Sequence, residues 1–181
     1  MCIRDRTKYE ELFVYMLKMN YLKQSKKIDH GLKRDISYDK VEQFIDDLPF
    51  ELTRDQIKSV EEIYKDLTED MRMNRLLQGD VGSGKTLVAL MSMLMALDNG
   101  FQACMMAPTE ILANQHYDTI RELLFGMDVR VELLTGSVKG KKREAILAGL
   151  LTGDVHILIG THAVIEAVSY THLRAHETVL D

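Results

Sequence analysis

Cysteine is scarce in this chain, long apolar runs are missing and positive charge is in the minority. Each shortage closes off a class of protein. Only two of 181 residues are cysteine, Cys2 near the start and Cys104 inside an apolar run. Two thiols make no disulfide framework and suit a reducing compartment, so the expected address is the cytoplasm. No apolar stretch approaches the roughly 20 residues a bilayer-spanning helix needs, and Met1 is followed by no apolar leader. Membrane insertion and secretion are therefore not expected. Lys plus Arg number 23 against 28 Asp plus Glu, a net charge of −5. The chain as a whole is no basic sheath for nucleic acid, and any such site has to be local. Internal repeats and low-complexity tracts are absent as well.

What is present suits one globular domain. Hydrophobic residues make up 46% and charged residues 28%, close to the averages for proteins that bury a core. A length of 181 residues leaves little room for a second complete domain.

Apolar spacing divides the chain in two. Tyr9, Leu12, Phe13, Met16 and Leu17 recur at helical intervals and predict an amphipathic helix over about Thr7 to Lys23, followed by a polar linker to Ser37. Val41, Phe44, Ile45 and Leu48 predict a short helix that Pro49 ends. Thr53 and Gln56 match a capping box, opening a helix with Ile57, Val60, Tyr64 and Leu67 on its buried face. From Arg75 onward short apolar runs alternate with helical segments, the pattern of a parallel sheet. Four strands are expected, at Arg75 to Gln78, Gln102 to Ala107, Val129 to Leu134 and Val155 to Ile159. The helices between them fall near Lys85 to Asp98, Glu110 to Phe125 and Lys141 to Leu151. Asn99-Gly100 closes the first of these, because glycine takes the left-handed position without steric cost.

One segment carries chemistry outright. Gly79-Asp80-Val81-Gly82-Ser83-Gly84-Lys85-Thr86 fits G-x-x-x-x-G-K-[ST], between an expected strand and an expected helix. The glycines let successive backbone N–H groups point at phosphate oxygens, and the following helix adds its positive dipole end. Lys85 supplies charge to the β and γ phosphates, and Thr86 offers a hydroxyl to Mg²⁺. The loop alone does not say which nucleotide-dependent reaction it serves.

Further blocks narrow the choice. Leu48-Pro49-Phe50-Glu51-Leu52-Thr53 with Gln56, then Met73 to Thr86, then Met106-Ala107-Pro108-Thr109-Glu110-Ile111-Leu112-Ala113 with Gln115-His116-Tyr117 stand in order. Leu134-Thr135-Gly136-Ser137 and Ile159-Gly160-Thr161-His162-Ala163 follow. From about Thr7 to Ala167 the chain resembles the bacterial RecG family of superfamily 2 DNA helicases. The translocase of transcription-repair coupling factors is similar, but Ser83 and the Thr109-Glu110-Ile111 wording favour RecG.

The resemblance implies a RecA-like α/β P-loop NTPase lobe with a parallel sheet, incomplete at its C-terminal end and preceded by helices. It implies ATP and Mg²⁺ as ligands and branched or duplex DNA as partner, with work at replication forks and Holliday junctions in repair and recombination. Gln56 would read the adenine edge and Phe50 would stack on it, although the capping box alone explains Gln56. Pro108-Thr109-Glu110, Thr135-Gly136-Ser137 and Thr161-His162 would contact DNA, the first through backbone N–H groups where a strand ends and a helix opens. Taken singly, Thr109 is equally an ordinary N-cap and Thr135-Gly136-Ser137 an ordinary turn. Lys139, Lys141, Lys142 and Arg143 read as a solvated basic face. His116 and His156 read as packing or surface, and His172 with His176 lacks a third metal ligand.

The family also needs an acidic pair at the end of a later strand to hold Mg²⁺ and orient water, and no segment supplies it. Phe44-Ile45-Asp46-Asp47 reads as helix and precedes the phosphate loop. Residues 1–6 and 168–181 fit no part of the family and resemble translated sequencing adapter. The expected organisation is therefore adapter at 1–6, a helical linker at 7–48, the N-terminal part of the ATP-binding lobe at 49–167, and adapter again at 168–181. On this reading the chain is an internal fragment that binds ATP without turning it over. The alternatives are a stand-alone nucleotide-binding module and a fragment with no activity, since a strand lost from within the sheet leaves backbone unpaired.

Overall fold

The computed structural model describes residue 10, residues 12–21, 37–68 and 73–162, and residues 164 and 165. The expectations for residues 1–6, 23–36 and 168–181 lie outside the described residues.

Residues 12–21 form a helix, α1, on which Leu12, Phe13, Met16 and Leu17 are exposed. Helix α2 (Asp39–Asp46) buries Val41 and Phe44 and stops short of Pro49. Helix α3 (Arg54–Thr68) buries Val60 and Ile63. Its start is the expected capping box, with Thr53 N–H donating to Gln56 Oε1 at 2.9 Å and Gln56 N–H to Thr53 Oγ1 at 3.3 Å. Helix α4 (Lys85–Asp98) is apolar around its circumference, and Leu90, Met91, Leu94 and Met95 have no exposed surface. A helix of that kind has to be covered on several sides. Helices α2 and α3 pack on one side of it and the sheet on another. Asp98, at its last turn, accepts from the backbone N–H and the Nζ of Lys40, both at 2.8 Å, tying α4 to the first turn of α2. Gly100, at φ +75°, then turns the chain into the sheet.

Three strands, β1 (Ala103–Met106), β2 (Val131–Leu134) and β3 (Ile157–Gly160), pair in parallel in the order β1-β3-β2. The crossovers are helices α5 (Glu110–Leu123) and α6 (Gly140–Thr152). Alternation along the central strand divides the core. Ile157 and Ile159 join α2 to α5 on one face, and Leu158 joins Ile146, Leu150 and Val155 beneath α6 on the other. Met106, Gly160 and Leu134 share one row of the ladder, so all three strands end level.

The expected strand at Arg75 to Gln78 is not there. Strand structure requires a neighbour to complete the ladder, and among the described residues none pairs with this segment. Leu76 is 87% exposed, although Met73 and Leu77 still pack on the core. Arg75 anchors the segment instead, donating from Nε to Asp66 at 2.7 Å and from Nη1 to Glu62, both on α3.

Candidate nucleotide site and sheet-edge loops

The segment Gly79 to Gly84 has the backbone a phosphate cradle requires. Gly82 (φ +81°) and Gly84 (φ +79°) occupy the left-handed region that side chains resist. A Cβ on Gly79 would lie 2.8 Å from Ser83 Oγ. Ser83 N–H closes a turn onto the Asp80 carbonyl at 3.2 Å. Among the described residues no backbone acceptor takes the N–H groups of Gly82, Gly84, Lys85 or Thr86, and the last two belong to the orphan donors of a helix start. Lys85 folds back over the loop, its Nζ donating to the carbonyls of Gly79 at 2.8 Å and Asp80 at 2.6 Å. Val81 is fully exposed at the tip.

Gln56 joins this loop. Its Oε1 is engaged by Thr53 N–H, so its amide nitrogen faces away from the cap and donates to the Ser83 carbonyl at 3.1 Å. The capping role and a contact with the phosphate loop coexist in one conformation. Phe50, 52% exposed, precedes the same cap.

The other singled-out residues gather at the carboxyl edge of the sheet. Residues 108–110 follow β1, 161–162 follow β3 and 135–137 follow β2, with β3 in the middle. The phosphate loop opens α4, and only Asn99 to Gln102 separate the end of α4 from the start of β1. So short a return runs α4 against the strand direction and brings its first turn towards that same edge, where parallel sheets take their ligands. Thr109 caps α5, accepting from Leu112 N–H at 3.3 Å. Glu110 Oε1 accepts from Thr135 Oγ1 at 2.8 Å and from Ser137 Oγ. Those two hydroxyls hold the Glu110 carboxyl below the usual carboxylate range, the Ser137 bond first. Thr135 and Thr161 are buried and His162 is exposed.

The DEAD/DEAH box helicase family matches residues 53–180. The chain belongs to that helicase family. It is 50% identical over 159 residues to the ATP-dependent DNA helicase RecG of Staphylococcus epidermidis, and equally to that of Staphylococcus aureus, covering 87% of this chain and 23% of each relative. A solved structure of RecG bound to a three-way DNA junction aligns with a TM-score of 0.80 at 42% identity, over 90% of this chain and 22% of that one. A hypothetical ATP-dependent RNA helicase from Sulfolobus tokodaii, at 22% identity and a TM-score of 0.53, shares the fold. The chain thus spans under a quarter of the RecG proteins it matches. The RecA-like α/β lobe expected from the sequence is the fold these helicases share.

Two further contacts leave only a faint mark in the sequence. The Arg75 clamp was signalled only by Glu62 and Asp66 standing four apart on α3, a spacing that puts both carboxylates on one face. His156, assigned to packing or surface, accepts the Arg130 N–H on Nδ1 at 2.9 Å and so secures the entry to β2. Lys139, Lys141 and Lys142 are exposed around the start of α6, as a solvated face requires, whereas Arg143, the fourth member of the cluster, is half-buried. Among the described residues no helix is long and apolar enough to cross a membrane.

Proposed function

We propose that the chain is the nucleotide-binding part of the first motor lobe of a RecG-type ATP-dependent DNA helicase, which acts on branched DNA in repair and recombination in the bacterial cytoplasm. The observation that carries this reading is the gathering of a phosphate cradle and three loops of hydroxyl and glycine residues at one edge of one parallel sheet. The 50% identity to RecG over 159 residues supports it.

In this reading Gly79, Asp80, Val81, Gly82, Ser83 and Gly84 wrap the ATP phosphates, whose oxygens accept the unpaired N–H groups. A phosphate outcompetes the Gly79 and Asp80 carbonyls for Lys85 because a charge-assisted bond is roughly twice as strong as one to a neutral acceptor. Thr86, the second residue of α4, is the one whose hydroxyl would hold Mg²⁺ beside the phosphates. The ion, when bound, neutralises phosphate charge. Gln56 and Phe50 hold the adenine. Pro108 to Glu110, Thr135 to Ser137, and Thr161 with His162 meet the DNA backbone, where N–H groups and small side chains permit close approach.

The chain by itself binds ATP and does not turn it over, because none of its segments supplies the acidic pair that hydrolysis requires. The test is titration calorimetry with ATP and Mg²⁺, paired with an ATPase assay on three-way junction DNA. Binding that disappears in Lys85→Ala, without turnover, is the expected result. DNA-stimulated turnover lost in the same variant would overturn the inactive part, and tight nucleotide binding without affinity for DNA would favour a stand-alone module.

A further inference from the structure

Glu110, Thr135 and Ser137 form a closed cluster that connects the ends of two strands that are not neighbours. Glu110 opens α5 directly after β1, and the two hydroxyl residues follow β2, with β3 between them. Two strand spacings separate the anchors, roughly 10 Å at the usual distance between strands, and the side chains close that gap over the end of the central strand. Thr135 Oγ1 and Ser137 Oγ lie 2.8 Å apart and both reach Glu110 Oε1. Two hydroxyl protons serve three contacts, and the ionised carboxylate, an acceptor only, draws both.

Thr135 is 1% exposed, so among the described residues its hydroxyl depends on this cluster. The turn it begins is otherwise lightly held, by Val138 N–H on the Thr135 carbonyl at 3.1 Å. Gly136 has nothing within 4 Å of where a Cβ would stand. Without the carboxylate, little would fix this turn relative to α5.

We propose that Glu110 is a positioning residue for the DNA contact. Its side chain braces the 135–137 turn against the start of α5, so that the backbone N–H groups of both loops keep one spacing for successive phosphates. The inference rests on the reading that this edge takes DNA. The carboxylate keeps its negative charge when two hydroxyls bond it, so in this reading phosphates are met by the backbone N–H groups beside it and not by the side chain.

The experiment compares Glu110→Ala, Glu110→Gln, Ser137→Ala and the double variant Glu110→Ala/Ser137→Ala in the full 181-residue chain. Hydrogen exchange at Gly136 to Val138 is read alongside affinity for a fluorescent three-way junction over a salt series. Loss of a bond to a charged acceptor is expected to speed exchange in that segment by about tenfold in Glu110→Ala and leave α4 unchanged. Junction affinity should fall by roughly fivefold in either single alanine variant and little further in the double, because both break one cluster. Glu110→Gln, whose amide oxygen still accepts, should lie between wild type and alanine, with an unchanged salt slope.

Tighter binding by Glu110→Gln with a steeper salt slope would mark the carboxylate as a charge facing DNA and overturn the brace. Unchanged exchange in Glu110→Ala with normal DNA binding would overturn the brace alone. A wild-type chain that binds no junction would overturn both the DNA reading and the purpose of the brace.

Discussion

The side-chain amide of Gln56 bridges two backbones, accepting from Thr53 N–H at 2.9 Å and donating to the Ser83 carbonyl at 3.1 Å. One residue thereby caps α3 and fixes where that cap sits against the phosphate loop. Substitution can separate the roles. Gln56→Glu keeps an acceptor for Thr53 N–H, the usual capping-box chemistry, but removes the donor and sets a carboxylate against a carbonyl. Thermal stability should change by less than ~0.5 kcal/mol, while ATP affinity falls by about tenfold and its margin over GTP narrows. Gln56→Ala should lose stability as well, by about 1 kcal/mol. Scanning calorimetry and nucleotide titration on both variants check this, and equal stability losses would refute the division.

Gly84 supplies a second test of the contact. A Cβ there would stand 2.3 Å from Gln56 Nε2, on a backbone at φ +79°. Gly84→Ala must therefore strain the loop, at roughly 1–2 kcal/mol for a left-handed non-glycine residue, and push the amide away. The Gln56 side-chain NH₂ resonances should move to solvent-like positions while the Thr53 amide stays protected. Unmoved resonances would show that the loop yields instead.

Legibility in the sequence followed the range of the interaction. The bounds of α4, Lys85 to Asp98, were readable because a local motif starts it and Asn99-Gly100 stops it. The box at Thr53 and Gln56 spans one turn of helix and was equally plain. The missing ladder at Arg75 to Gln78 was not readable, since an apolar run predicts a strand without saying whether a neighbour exists to pair with it. Nor were the Gln56 contact with Ser83 and the Glu110 cluster, which join residues 27, 25 and 27 apart through geometry that only the assembled lobe creates.

The Arg75 clamp makes stability depend on pH. Its hydrogen bond to Asp66 is the main reason that carboxyl sits below its ordinary value. A carboxylate depressed in the folded state contributes stability that is complete above the unfolded value, about 4, and is lost as pH falls through the folded one. Arg75→Gln should therefore lower the melting temperature at pH 7 and match wild type near pH 2, with the gap closing below pH 4. Melting curves across that range decide it, and a gap independent of pH would assign the loss to packing of the arginine stem.

Gly160 ends the central strand where the backbone of β2 leaves no space. A Cβ there would lie 1.9 Å from the Leu134 carbonyl oxygen and 2.5 Å from Val164 Cγ2. The first neighbour is backbone in a paired row and cannot rotate away. Gly160→Ala should cost at least the upper part of the usual overpacking range of ~1–3 kcal/mol. For a chain of this size each kcal/mol lowers the melting temperature by about 2–4 °C. Gly136→Ala is the control, with open space around the added methyl and an expected change within ~0.5 kcal/mol. Thermal unfolding of the two variants side by side measures the difference. Equal melting temperatures would mean that β2 and β3 can separate at their ends, and the level edge on which the DNA-contact reading depends would no longer be rigid.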